Sequence, residues 1–120
     1  MTTSTAPLDT AALATAITDR DAAGQLAAFS TDAEVVIIDH ENPPANPRVL
    51  RGSDEIGAHL ADVCDRDMTH DVRNAVLAGD RLTVEVACRY ADGTNVECLS
   101  ISEVAAGRIT RQRIVQAWDH

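Results

Sequence analysis

The chain has 120 residues, 45% of them apolar, with 19 acidic side chains against ten arginines and a formal charge of -9; there is no lysine. This length accommodates one domain around a single core. The acidic balance excludes a nucleic-acid partner or an anionic membrane surface, and the missing lysine excludes Schiff-base chemistry. Phe29, Tyr90 and Trp118 are the only aromatic residues of the Phe, Tyr and Trp type, so alanine and valine must do most of the filling. Cys64, Cys88 and Cys98 are odd in number and form no CxxC pair, which supports neither a disulfide framework nor structural zinc and points to reduced thiols in the cytoplasm. The opening MTTSTAP lacks the basic and apolar regions of a secretory signal, and no run approaches the ~20 apolar residues of a membrane span. Residues 1–7 therefore read as a disordered tail before one domain over residues 8–120.

Pro7 is tolerated in a first helical turn, and Leu8, Ala12, Ala16 and Ile17 recur at helical spacing, predicting a helix over 8–18. Asp21 is a capping residue for a second helix over 22–29, with Leu26 and Phe29 on its buried side and Thr31-Asp32 ending it. Val35-Val36-Ile37-Ile38 is a β-branched run without polar alternation, the pattern of a strand covered on both faces. A loop with three prolines, Glu41 to Pro47, leads to a short extended return at Val49-Leu50. Ser53 is expected to cap a third helix, whose apolar stripe is Ile56, Leu60, Val63 and Cys64.

From Met68 to Trp118 the chain alternates apolar and polar residues between Gly79-Asp80, Asp92-Gly93 and Gly107, the signature of a four-strand antiparallel meander. The order helix, helix, strand, helix and four strands is an α+β segregation.

That order, with three local patterns, resembles the SnoaL-like branch of the nuclear transport factor 2-like superfamily. The patterns are the strand Ala33-Glu34-Val35-Val36-Ile37-Ile38-Asp39 after a short helix, the segment Leu50-Arg51-Gly52-Ser53-Asp54-Glu55-Ile56, and the ending Gly107-Arg108-Ile109 through Trp118-Asp119. The resemblance implies a cone-shaped α+β barrel, in which a curved, mostly antiparallel sheet wraps around three N-terminal helices. Related proteins include ketosteroid isomerases, polyketide cyclases, scytalone dehydratase, a dehydrochlorinase and limonene epoxide hydrolase, beside domains that only bind or dimerise.

His70 shares strand parity with Met68, Val72 and Val76, which sets an imidazole on the apolar face. With an ordinary pKa near 6.5, imidazole suits a general base when a carboxylate fixes its tautomer. The resemblance to the dehydrochlorinase and scytalone dehydratase branch implies that His70 is a base at the start of its strand. The dehydrochlorinase pairing implies Asp19 as its orienting carboxylate, with Asp21 the alternative. Asp39 shares parity with Val35 and Ile37, and an aspartate ends the corresponding strand of ketosteroid isomerases. Desolvation at the rim of an apolar cone is expected to raise its pKa toward the working range. The bland readings are a core histidine for His70 and a loop cap for Asp39.

The isomerase pattern departs at Leu13 and Ser100, which stand where its oxyanion tyrosine and protonated aspartate would be; without those donors the enolate loses its main stabiliser. Glu85, Ala87 and Ile114 stand near the positions of the epoxide hydrolase acid-arginine-acid set, so that mechanism is not supported.

Cys98, Ser100 and Ser102 share one strand face with Val96 and Val104, while Leu99 and Ile101 take the other; parity alone leaves open which faces inward. With the first set inward, Cys98, Ser100, Gln112 and Trp118 line the substrate pocket, Trp118 having a plain core role as its alternative. Leu99, Ile101, Val84 and Val86 then form an outer apolar surface suited to a homodimer. The histidines, His40, His59, His70 and His120, are scattered without ligand spacing, so no metal site and no cofactor are expected. The expected function is a small, cofactor-independent acid/base enzyme of isomerase, dehydratase or cyclase type, using His70, Asp39 and Asp19 on a neutral, largely apolar metabolite. A non-catalytic ligand-binding or dimerisation module of the same fold is the alternative.

Overall fold

The computed structural model describes residues 7–120, so most of the expected N-terminal tail lies outside the described residues. Two short helices open the fold, each begun by an aspartate. In α1 (Thr10–Thr18) Asp9 Oδ1 accepts from the Ala12 amide at 3.0 Å; in α2 (Ala22–Leu26) Asp21 Oδ1 accepts from the Gly24 amide at 2.9 Å. Each bond satisfies an amide that the first turn leaves free. The second helix is shorter than its periodicity predicts. Phe29 belongs to strand β1 (Phe29–Ile38), because its neighbour Ala28 gives its carbonyl to the Ile109 amide at 2.8 Å and Phe29 pairs with Ile109. Thr31 and Asp32 lie inside the strand, where the register shifts, and do not end a helix.

The β-branched run behaves as read, with Val35 to Ile38 buried on both faces of β1. After the proline loop, β2 (Arg48–Arg51) returns antiparallel to β1 and runs into α3 (Gly52–Asp65). Gly52 makes that corner at φ +81, a conformation glycine adopts at little cost. The cap of α3 is not Ser53: Ser53 lies in the first turn and donates to the Thr31 carbonyl at 3.4 Å. Arg51 holds the N-cap position without a side-chain bond, and Glu55 reaches back to accept from its amide at 3.1 Å.

The remaining strands are β3 (Met68–Ala78), β4 (Arg81–Tyr90), β5 (Asn95–Ala105) and β6 (Arg108–Trp118). They join one six-stranded sheet in the order β2-β1-β6-β5-β4-β3, with only β1 and β6 parallel. The helices cover its inner face, α1 against β3, α3 against β1 and α2 on α3. The architecture is α+β, with N-terminal helices packed on a six-stranded, mostly antiparallel sheet. No helix among the described residues is long and apolar enough to cross a membrane.

Register decides which face is which. Val84 pairs with Ser100, Val86 with Cys98 and Cys88 with Val96, so these residues share the inner face, and Val84 and Val86 are buried. The expectation that Val84 and Val86 join the outer surface is thereby corrected. Leu99 and Ile101 do face outward, 53% and 59% exposed, beside Val115. A second correction concerns β3, where the register shifts between Val72 and Asn74. The extra residue reverses parity, so Ala75 and Leu77 pack toward the core while Val76 is 55% exposed and does not share the face of His70.

Candidate active-site cavity

The helices do not fill the space under the sheet. A cavity of about 360 Å³ remains, walled by Leu13 and Ile17 of α1, Ile56, His59, Leu60 and Val63 of α3, and inward residues of all six strands. Most of its wall is apolar, as small-molecule sites commonly are. Of the residues expected to form the site, His70, Asp39, Trp118, Cys98, Ser100 and Gln112 all stand on this wall; Asp19 does not.

His70 projects inward from β3, directly opposite Cys88 of β4. Its Nδ1 lies 3.3 Å from Cys88 Sγ, and Cys88 Sγ is 3.9 Å from Cys98 Sγ. The Nε2 atom of His70 is buried and has no partner. Asp19 caps the end of α1, is exposed and makes no hydrogen bond to His70; Asp21 is committed to α2. The predicted carboxylate-imidazole pair is therefore replaced by a sulfur-imidazole pair. The reason is local: the turn after α1 leaves Asp19 in solvent, whereas antiparallel pairing forces Cys88 beside His70.

Asp39 opens the proline loop, and its Oδ1 accepts from the Glu41 amide at 2.9 Å, the Asn42 amide at 2.8 Å and Asn42 Nδ2 at 2.9 Å. Burial alone would raise its pKa, as expected from sequence, but the Asn42 side chain, the Glu41 and Asn42 amides and nearby His40 together bring it below its ordinary value. The carboxylate on the cavity rim is thus a loop-fixing acceptor held ionised.

Trp118 lies between His40, 5.0 Å away between ring centroids, and Tyr90, on which it stacks at 5.6 Å. Its Nε1 is also buried without a partner. Gln112 Nε2 donates to the fully buried Ser102 hydroxyl at 3.3 Å.

Several wall residues are ones the sequence reading does not assign to the pocket. His59 is the sharpest case. Burial, then the charges of Arg48 and Arg66, push its pKa down to about 4, with the Asp62 charge opposing them, so the ring is neutral at physiological pH. Arg48 Nη1 approaches its Nδ1 at 3.5 Å. Arg66 donates to Asp62 at 2.7 Å and to the Tyr90 hydroxyl at 3.1 Å. A signal for His59 existed, since Ile56, His59, Leu60 and Val63 fall at i, i+3, i+4 and i+7 on one helix face. Cys88 had one too, sharing parity with Val84 and Val86. Among the described residues no group of three or more His, Cys, Asp or Glu side chains is arranged to hold a metal ion.

A curved sheet laid over three helices and enclosing an apolar cavity defines a class of small pocket-bearing domains. The chain belongs to the SnoaL-like family: the SnoaL-like domain matches residues 10–112. No curated protein sequence matches it. Among solved structures, a protein of unknown function from Mesorhizobium loti superposes with a TM-score of 0.73 at 18% identity, over 88% of this chain and 84% of that one. A protein from Kribbella flavida gives 0.72 at 23% identity, over 95% and 88%. An LEH-like epoxide hydrolase from M. tuberculosis gives 0.64 at 19% identity, over 89% and 78%. At these identities the likeness is one of fold.

Proposed function

We propose that the protein is a small acid/base enzyme that takes a largely apolar metabolite into the cavity and moves a proton through His70, an isomerisation, dehydration or cyclisation. The observation that carries this reading is the pair of buried, unpartnered nitrogens, His70 Nε2 and Trp118 Nε1, on the wall of one cavity. A buried polar group without a partner costs about 1 to 3 kcal/mol, and two on one wall point to a ligand that supplies the missing partners. In this reading Cys88 takes the place foreseen for Asp19, setting the imidazole through Nδ1, and Asp39 shapes the entrance without transferring a proton. Ser100, Cys98 and Gln112 offer the ligand a mildly polar wall.

The test is solvent-proton exchange. A panel of apolar ketones and esters is incubated with the protein in D₂O and deuteration is followed by mass spectrometry. The wild type is expected to deuterate at least one compound above buffer, and His70→Gln to lose that activity. Equal exchange by both proteins removes His70 from the mechanism. A non-catalytic binding module is the second reading, favoured by the missing carboxylate on His70; ligand-induced thermal stabilisation without exchange would establish it.

We further propose that two copies pair through the outer sheet face. Support comes from Leu99, Ile101 and Val115, contiguous on adjacent strands and exposed. Leu99→Glu should convert a dimer to a monomer in sedimentation velocity; a wild type that sediments as a monomer rejects the pairing.

A further inference from the structure

The acid/base reading uses the imidazole and gives the two cavity thiols only supporting parts, Cys88 setting the ring and Cys98 lining the wall. Their placement follows from register. His70 and Cys88 face each other across β3 and β4, while Cys88 pairs with Val96 and Cys98 with Val86, which makes the two cysteines diagonal neighbours on the inner face. The result is a chain of three groups, His70 Nδ1 to Cys88 Sγ at 3.3 Å and Cys88 Sγ to Cys98 Sγ at 3.9 Å, all on the cavity wall. A thiol within reach of an imidazole is the arrangement that makes cysteine a nucleophile. We propose that Cys88 is a nucleophilic thiolate that adds to a small apolar α,β-unsaturated carbonyl compound in this cavity, with Cys98 as its thiol donor and His70 as its proton carrier.

The electrostatics agree with the geometry. The Cys98 thiol donating to it holds Cys88 well below the ordinary thiol range against the opposing effect of burial, and His70 adds a hydrogen bond and its charge. Cys98 is pushed up, chiefly because it is the member that keeps its proton beside the Cys88 thiolate. Access sets the substrate class. Cys88 is only 4% exposed, and Val86 and Val96 flank it on the inner face. A protein thiol or disulfide cannot reach it, whereas a small apolar compound entering the cavity can.

The addition balances within the site. The Cys88 proton passes to His70; the thiolate electron pair forms the bond from Sγ to the β carbon; the alkene π pair moves to the α carbon and carbonyl as an enolate; His70 returns the proton to the α carbon. The net change is addition of S–H across the double bond, with no oxidant or reductant. The inference rests on the reading above only in taking the cavity as a ligand site.

The test is competitive labelling with 2-cyclohexen-1-one and iodoacetamide at pH 6 and pH 8, quantified by peptide mass spectrometry. Cys64 is the internal reference, since burial raises its pKa despite the Gln25 side chain. At pH 6 Cys88 should react at least about tenfold faster than Cys64, since each unit of thiol pKa changes the thiolate fraction tenfold. His70→Gln, His70→Asn and Cys98→Ala should each slow Cys88 at pH 6 and move its labelling midpoint toward the ordinary thiol value. Cys98→Ser, which keeps a donor, should retain more of the rate than Cys98→Ala. Labelling confined to Cys64 or Cys98, or a Cys88 rate unmoved by the His70 and Cys98 variants, overturns the proposal. Cys88 labelling with no deuterium exchange in any ketone sinks the acid/base reading alone, and the reverse pattern sinks the thiolate alone.

Discussion

His59 and His70 line the same cavity, one on α3 and the other on β3, and their surroundings give the same side chain two different characters. His59 meets guanidinium groups: Arg48 and Arg66 add to burial in opposing a second positive charge, so its ring stays neutral. His70 meets sulfur at Nδ1 and nothing at Nε2. The first is settled by charge and fixed by its neighbours; the second keeps one buried ring nitrogen without a hydrogen-bond partner. Burial alone does not separate the two rings, whereas their partners do.

The largest expected effect that separates them is kinetic. His70→Gln should lower deuterium exchange by about 10²- to 10⁴-fold, the usual contribution of one positioned acid/base group, while His59→Gln should cost less than about tenfold. Comparable losses would erase the distinction.

Next is the pH dependence of stability. His59 titrates near 6.5 when unfolded and at about 4 when folded, so between those values the unfolded chain binds more protons and stability rises with pH. The contribution, on the order of 2 to 3 kcal/mol, is complete above the unfolded value and lost as pH falls through the folded one. Urea titrations from pH 4 to 7 should show this slope in the wild type and a flatter one in His59→Gln. Asp39 also has a lowered pKa, but its stabilisation is lost only as pH falls below its unfolded value of 3.8, outside that window.

The smallest effect concerns the entrance. Asp39→Asn should leave exchange within a few-fold of wild type and cost about 1 kcal/mol in a thermal melt, because one acceptor of three loop bonds is weakened. A hundredfold loss of exchange would restore Asp39 to the chemistry.

The fold was legible in the sequence because its signals are local. Turn glycines marked Gly79, Gly93 and Gly107, each with positive φ in the structure, and the run Val35 to Ile38 announced a strand buried on both faces. Where local signals misled, long-range pairing had intervened. Phe29 follows a helical period from Leu26 yet is drawn into β1 by Ile109, and one extra residue after Val72 turns Val76 outward. The site was half legible. Parity set His70 on an apolar face and grouped Cys98 with Ser100 and Gln112 with Trp118, but which face turns inward and who touches whom depend on register between strands, which no single strand encodes. That is why Asp19 was foreseen beside His70 and Cys88 was not.

The position of β6 has a consequence for how the molecule assembles. It lies between β1 and β5 in the middle of the sheet, although of all the strands it is the last to be synthesised. Until Arg108 to Trp118 emerge, β1 has no parallel partner, the inward Ile109, Ile114 and Trp118 are missing, and the apolar faces of α1 and α3 have half a wall to cover them. Pairings as distant as Phe29 with Ile109 carry a large loop-closure cost before any contact repays it. The protein should therefore fold slowly for its size, and with β6 unpaired it presents two further open strand edges, on β1 and β5, a state in which nascent chains invite chaperones or one another.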